Sequence, residues 1–403
     1  MVGGGLAGVR AAAELRSRGY AGSLTLVTAE DVQPYDRPPL SKAVLLGETD
    51  AVPLEAGWLA GVEVRRGEVA VGLGPRVLRT APAAGDAAAG AGGAGAGAGE
   101  LAWDGLVLAT GAVPRRLAGS DGGAHVLRTL ADAHRLRSAL VPGARVAVVG
   151  AGWIGAEVAT VASRRGCSVT VLEAATAPLA ASLGPVAGAR TAGWYTEAGV
   201  ELRTGAAVSK VDSRGVGLAG AGRVDADVVV EAVGVRPDLG WLAGSGVDVD
   251  PVSGGVVVDE ACRSSLPGLV AVGDCAARWS PRAGRRIRTE HWDDALHAPE
   301  VAAATLLGEP AAYDPVPYVW SEQFGRYVQW VGFRTDDGPA VWRGDPEAGT
   351  GWAAAWLDPD GRLTGLLAVD RRRDATQARR VIDAGRPVDA GRLADPDVPV
   401  RAS

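Results

Sequence analysis

A chain of 403 residues exceeds one ordinary hydrophobic core, so two or three domains are expected, and 47% hydrophobic with 22% charged residues is a soluble globular balance. A formal charge of −6 and a pI near 5.4 exclude the broad basic face of a nucleic-acid binder and give no attraction to an anionic membrane. No apolar run approaches the roughly 20 residues that span a bilayer, and the opening MVGGGLAG has neither a basic n-region nor an apolar h-region, so the cytoplasm is the default.

From the N-terminus, residues 3–30 read as helix then strand. Leu6 to Arg18 is Ala-rich with Gly19 as its stop, and Leu24-Thr25-Leu26-Val27 is a short buried strand. Gly3, Gly5 and Gly8 open this helix, and Glu30 stands 22 residues past Gly8. The spacing is that of a dinucleotide-binding fingerprint. Only Met1-Val2 precede Gly3, where about four or five strand residues would seat such a loop; a start assigned too far downstream is the simplest reading.

Residues 81–99 (APAAGDAAAGAGGAGAGAG) have no large apolar side chain to offset their ordering entropy, which predicts a mobile loop. Flanked by Val77-Leu78-Arg79 and Leu101-Ala102-Trp103, this stretch fits an expanded hairpin loop. A strand follows at Leu106–Ala109.

Residues 143–173 repeat the opening pattern more completely. Arg145–Val149 is a strand, Gly152 to Arg165 a helix stopped by Gly166, and Ser168–Leu172 a second strand. One βαβ unit given twice predicts two doubly wound domains. Further strands are expected at Val228–Val233, Val256–Val258 and Leu269–Val272, and a helix near 295–307. From Tyr313 to Val341 alternating Tyr, Trp and Val predict antiparallel strands, with Gly361 in a turn between Ala353–Leu357 and Leu363–Val369 and a closing helix at about 374–384.

The segment RVAVVGAGWIGAE carries the tightest chemical signal. Gly150 permits the tight turn, Gly152 lets backbone approach a pyrophosphate, and Gly155 allows close helix–strand packing. Glu173, 18 residues past Gly155, is placed to hydrogen-bond an adenine-ribose diol and repel a 2′-phosphate, so NADH is preferred to NADPH. Trp153 and Ile154, inside the same turn, count among the coenzyme contacts. Ala174 to Pro178 brings in no basic residue suited to a 2′-phosphate.

Cys167, Cys262 and Cys275 form no C-x-x-C, so neither a redox dithiol nor a zinc knuckle is read, and Cys167 is expected to be a small buried residue. His291 and His297 have no second ligand at metal spacing, and no metal site is expected. Two dinucleotide folds without a dithiol indicate a flavoprotein that takes hydride from a pyridine nucleotide.

The chain resembles, over its whole length, the NADH-dependent ferredoxin reductases that serve oxygenases, with the similar rubredoxin reductases and apoptosis-inducing-factor-like proteins. The segments that carry the resemblance are GGGLAG at 3–8, YDRPPLSK at 35–42, ATGAVPR at 109–115, GAGWIGAE at 150–157, AVGDCA at 271–276, TEHW at 289–292 and VPYVWSEQ at 316–323. It implies two Rossmann-like domains plus a C-terminal α+β domain with an antiparallel sheet: an FAD domain from 1–114 and 235–308, an NADH domain at 115–234, and a C-terminal reductase domain at 309–403.

The resemblance also assigns residues. Arg37 would contact FAD phosphate or ribityl groups, and Lys42 would sit near flavin N5, paired with Glu157. Ala109, Thr110, Gly111 and Arg115 would lie along FAD with Gly273, Asp274, His291 and Trp292, while Gly234 would join the NAD site. Trp320 would border flavin and nicotinamide; by itself either Trp292 or Trp320 reads as core. Glu157 also has a local reading, as a carboxylate favoured near a helix N-terminus.

The implied reaction is hydride transfer from NADH to FAD, then single electrons to a [2Fe–2S] ferredoxin feeding a monooxygenase or dioxygenase. An acidic ferredoxin would need a basic patch, for which Arg282, Arg285, Arg286 and Arg288, or Arg371 to Arg373 with Arg379 and Arg380, are candidates, on a monomer or homodimer. Competing readings are an NADH oxidase or rubredoxin reductase, a redox-sensing interaction protein, and a flavoprotein whose short first strand no longer holds FAD.

Overall fold

The computed structural model describes residues 1–83, 99–220 and 222–403. The chain divides into two compact units. Met1–Pro38, Ala51–Val113 and Val235–Asp314 form the first; Pro39–Asp50, Pro114–Gly234 and Pro315–Ser403 form the second. Among the described residues no helix is long and apolar enough to cross a membrane.

In the first unit, strand Thr25–Thr28 runs parallel to Glu63–Arg66, and Leu106–Leu108 runs parallel to Leu269–Ala271. Val2 joins the two pairs, bridging Val27 on one side and Leu108 on the other. Its N–H donates to Val107 O at 2.9 Å, Ala109 N–H donates to its carbonyl at 2.8 Å, and Gly3 N–H donates to Val27 O at 2.9 Å. Two residues thus supply ladder bonds on both sides of a central strand, and the glycine loop that follows is seated despite the short lead-in. The helix Leu6–Ser17 packs on Trp292–Leu306 through Ala7, Ala11, Ala298 and Ala302, whose small side chains allow close approach. The latter helix starts earlier than its periodicity implied: His291 is extended, and Asp293 and Asp294 complement the dipole of its first turn.

Between the third and fourth sheet strands lies an antiparallel meander, Glu68–Gly74, Val77–Pro82 and Gly99–Ala102. Thr80 pairs with Gly99, so the flanks of the Ala/Gly-rich tract form the expected hairpin arms; residues 84–98 of that tract lie outside the described residues.

The second unit repeats the plan. Its parallel sheet runs Glu201–Arg203, Ser168–Leu172, Arg145–Val149, Val228–Glu231, and a meander of Val208–Asp212, Gly215–Leu218 and Arg223–Asp225 again separates third strand from fourth. The duplication seen as one βαβ pattern therefore extends to a whole domain. Val146, Val148, Val158, Val171, Val228 and Val230 form its core with Leu45 and Leu136. Leu45 explains why Pro39–Asp50 belongs here: it is fully buried in that core, and Arg165 Nη1 donates to Leu46 O at 3.1 Å.

The same unit contains a five-stranded antiparallel sheet ordered Tyr318–Gln323, Arg326–Gly332, Leu363–Val369, Trp352–Leu357, Val341–Arg343. Alternation along Trp352–Leu357 sorts its faces. Ala353 and Ala355 lie under the helix Arg372–Ala384, while Trp352 and Trp356 pack on the other side with Trp330, Leu183 and Trp194. Gly361 turns between the last two long strands with φ +76°.

Cysteine placement corrects one expectation. Cys262 and Cys275 are buried, but Cys167 is only half-buried, because the turn at Gly166 leaves it at the sheet's margin with its Sγ 3.3 Å from Val141 O.

Candidate functional site: two glycine cradles and a buried lysine–glutamate pair

Each unit turns from its first strand into a helix through three glycines with the same division of labour. Gly3 and Gly150 have φ of +111° and +102°, which a side chain resists. A Cβ there would lie 2.1 Å from Ala109 O and 2.5 Å from Ala232 O respectively. A Cβ on Gly8 or Gly155 would lie 2.0 Å from the carbonyl oxygen of Gly3 or Gly150. These four positions are closed by the protein's own backbone.

The middle glycine is different in both copies. Gly5 and Gly152 are extended, with φ of −77° and −76°, a conformation any residue adopts. Among the described residues, a Cβ on Gly152 meets nothing within 4 Å, and one on Gly5 meets only Arg37 Nε, at 3.9 Å. Internal packing therefore does not demand glycine there. What its absence of side chain leaves is open space at a helix N-terminus, where the first N–H groups have no partner within the helix, the setting a pyrophosphate fits. The residues present thus suit a dinucleotide in each unit.

The fingerprint acids are used differently. Glu173 turns back on its own loop, accepting from Ala151 N at 2.7 Å and Ala175 N at 2.8 Å. Glu30 accepts from Tyr35 Oη at 2.6 Å and from Arg37 Nη2 at 3.0 Å. Arg37 thereby hangs over the open side of Gly5. Ser182 is the hydrogen-bond partner of Trp153, whose Nε1 donates to Ser182 Oγ at 3.2 Å, and Ile154 is 43% exposed beside it.

In the first unit Trp292 Nε1 donates to Asp36 Oδ1 at 2.8 Å, tying TEHW to YDRPP, and His291 is the extended residue ahead of that helix. Gly273 needs its φ of +71° in the turn that presents Asp274, and it packs against Ala7 of the glycine helix. Arg288 is turned inward, donating to Asp274 O at 3.2 Å and pairing with Glu290. Ala109-Thr110-Gly111 and Ala232-Val233-Gly234 occupy equivalent strand ends, Gly111 and Gly234 both with positive φ. Arg115 lies in the second unit, its N–H donating to Gly234 O at 2.9 Å.

Lys42 and Glu157 meet in the second unit, Nζ 2.9 Å from Oε2. Glu157 is 3% exposed on the first turns of helix Trp153–Arg164. Ser41 also donates to Oε2, and Ser321 Oγ donates to Oε1 at 2.5 Å. Trp320, next along that strand, stacks on Tyr318 with ring centroids 6.0 Å apart. Asp36, Ser41, Ser321 and Gln323 escaped sequence reasoning, although all lie in the quoted segments. Ser321 and Gln323 are the buried polar residues of that strand, on either side of exposed Glu322.

The three cysteines are free thiols. Burial pushes the Cys262 thiol up to about 12 and raises Cys275 against the opposing hydrogen bonds of Thr110 and Gly111; burial also raises Cys167.

Residues 1–298 match the family model described as pyridine nucleotide-disulphide oxidoreductase, and residues 318–403 match the reductase C-terminal model. The chain belongs to the pyridine nucleotide-disulphide oxidoreductase family. It is an oxidoreductase of the kind that uses FAD and NAD(H). Among curated relatives, the ferredoxin–NAD(+) reductase component of the anthranilate 1,2-dioxygenase system of Burkholderia cepacia is 38% identical over 99% of this chain and 97% of its own. The crystal structure of Fdr9 is 48% identical with a TM-score of 0.89, covering 99% of this chain and 98% of that one. The covalent putidaredoxin reductase–putidaredoxin complex is 30% identical with a TM-score of 0.89, covering 99% and 96%.

Proposed function

We propose that the chain transfers hydride from NADH to FAD and passes electrons one at a time to a [2Fe–2S] ferredoxin that serves a monooxygenase or dioxygenase. The duplicated open cradle at Gly5 and Gly152 carries this reading, because two dinucleotide sites and no redox dithiol leave an external acceptor as the outlet for electrons. FAD, when bound, accepts an electron pair as hydride and releases electrons singly, the exchange an iron–sulphur carrier requires.

In this reading residues 1–114 and 235–308 form the FAD domain: Gly3, Gly5 and Gly8 leave room for the pyrophosphate and Arg37 offsets its charge. Asp274 accepts from the ribityl chain, and Ala109, Thr110, Gly111, Arg115, His291 and Trp292 line the cofactor. Residues 115–234 bind NADH, Gly150, Gly152 and Gly155 at the pyrophosphate and Glu173 at the ribose diol, with Trp153, Ile154 and Gly234 along the coenzyme. Lys42, paired with Glu157, would stabilise negative charge at the flavin, and Trp320, from the 309–403 domain, would border the flavin and nicotinamide.

For ferredoxin docking we favour Arg282, Arg285 and Arg286, which are exposed around one hairpin, over Arg288, which is turned inward. In the alternative cluster Arg371 is held by Asp374 and Arg372 lies over the Tyr327 ring. A monomer or homodimer acting in the cytoplasm fits three unpaired cysteines, as expected of a reducing compartment.

The purified protein should show flavin absorption bands that bleach on anaerobic addition of NADH and recover on adding oxidised ferredoxin. A colourless protein, or bands untouched by NADH, would defeat the reading; rapid oxygen uptake with NADH alone would favour an oxidase. Charge reversal at Arg282, Arg285 and Arg286 should slow ferredoxin reduction at low salt and spare NADH-to-dye activity.

A further inference from the structure

More donors surround Glu157 than a lysine–glutamate pair needs. Lys42 and Ser41 serve one oxygen, and Ser321 Oγ serves the other. Ser321 in turn accepts from Gln323 Nε2 at 3.0 Å. A carboxylate has no proton to give, so Ser321 must spend its single hydroxyl proton on Glu157. Only its lone pairs then remain for Gln323, which has to present its amide NH2. The chain therefore has one polarity, from amide to hydroxyl to carboxylate.

The surroundings make that polarity costly to alter. Ser321 is 0% exposed and Gln323 1%, so water does not compete for these groups. Among the described residues Gln323 Oε1 finds no hydrogen-bond partner although it is buried, a cost accepted with the NH2 facing Ser321. The strand is held to the same helix one turn on, where Phe324 N–H donates to Thr160 Oγ1 at 3.0 Å. Ser321 is thus fixed by sheet and helix together, whereas Lys42 sits at the end of a flexible four-carbon stem.

We propose that Ser321, oriented by Gln323, is a positioning residue for hydride transfer: it anchors Glu157 so that the Lys42 ammonium is held in one place. This rests on the reading that Lys42 serves the flavin. Ser321 need touch no cofactor; it acts through Glu157.

The chain carries lysine only at positions 42 and 210, and Lys210 is exposed on a surface strand. In flavin-loaded protein labelled with 15N-lysine, the two ammonium groups give two NMR signals, with Lys210 as an internal reference. Ser321→Ala should speed hydrogen exchange of the Lys42 ammonium about tenfold, the weight of one hydrogen bond to a charged group, and leave Lys210 unchanged. Flavin reduction at saturating NADH should slow by a similar factor with the Kd for NADH moved less than about twofold. Ser321→Thr, which keeps the hydroxyl, should restore both, and Gln323→Leu should act in the same direction more weakly.

If Ser321→Ala does not fold, Gln323→Leu with the Thr variant carries the test. Unchanged Lys42 exchange in a folded Ser321→Ala protein would overturn the proposal. So would faster exchange with an undiminished reduction rate. Failure of the underlying reading looks different: wild-type flavin would then not be reduced by NADH at all.

Discussion

The two glycine cradles share a backbone but not a charge pattern. In each, the outer glycines press on carbonyl oxygens of their own domain and the middle glycine faces open space. In the first, Glu30 accepts from Arg37 and Tyr35, and the guanidinium overhangs the hollow. In the second, the acid is spent on Ala151 N and Ala175 N, and among the described residues no arginine lies within 4 Å of where a Gly152 Cβ would stand. A cradle with its own cation suits an anion that stays bound; one without it suits a coenzyme that must leave after every turnover.

The largest test of the shared part is Gly8→Ala against Gly155→Ala. Each adds a Cβ 2.0 Å from a backbone oxygen, so each should destabilise its unit by about 3 kcal/mol or more, read by chemical denaturation. If either is tolerated, the equivalence of the two loops fails. Gly152→Val should do the opposite: melting within about 2 °C of wild type, with NADH binding weakened roughly 10–100-fold through lost N–H contacts to phosphate. Equal loss of stability and binding would mean that Gly152 is structural after all.

The charge difference is sharpened by Arg37→Ala, which should lower FAD retention about tenfold or more by removing a charge-assisted contact and freeing the Glu30 carboxylate. Adding Glu30→Gln to that variant should recover part of the loss. A separate test concerns acid stability of the first unit. Asp294 is raised from 3.8 to about 6, chiefly by burial, with Arg278 opposing. Its neighbours there are Asp293, Asp274, Arg278 and Tyr313. An acid whose folded value is raised adds stability below about pH 4 and loses it as pH climbs through 6. Asp294→Asn should therefore flatten the stability–pH slope between pH 4 and 6, by up to about 3 kcal/mol across the window.

How much of this could be read in advance depended on the range of the interaction. Helix Leu6–Ser17, strand Ser168–Leu172 and the turn at Gly361 follow from local periodicity and from glycine's access to positive φ. The seating of Met1-Val2 did not, because the bonds that hold Val2 come from residues 27, 107 and 109 rather than from its own strand length. Cys167 was misplaced for the converse reason: residue type says that cysteine prefers burial, but the turn at Gly166 decides where this one stands.

The sequence by itself determined the two nucleotide folds, the antiparallel tail and the pairing of Lys42 with Glu157 as an expectation from resemblance. Those features rest on patterns within a few turns of chain, or on segments specific enough to be compared whole. Only the tertiary structure decided which carboxylate oxygen meets which donor. Ser41, Glu157 and Ser321 are 116 and 164 residues apart along the chain, and a hydrogen bond at that separation leaves no periodicity to read. It exists because Leu45 is buried in the valine core of one sheet and Phe324 is bonded to Thr160 on the helix beside it. Local chemistry chose the residues, and packing brought them within reach of one another.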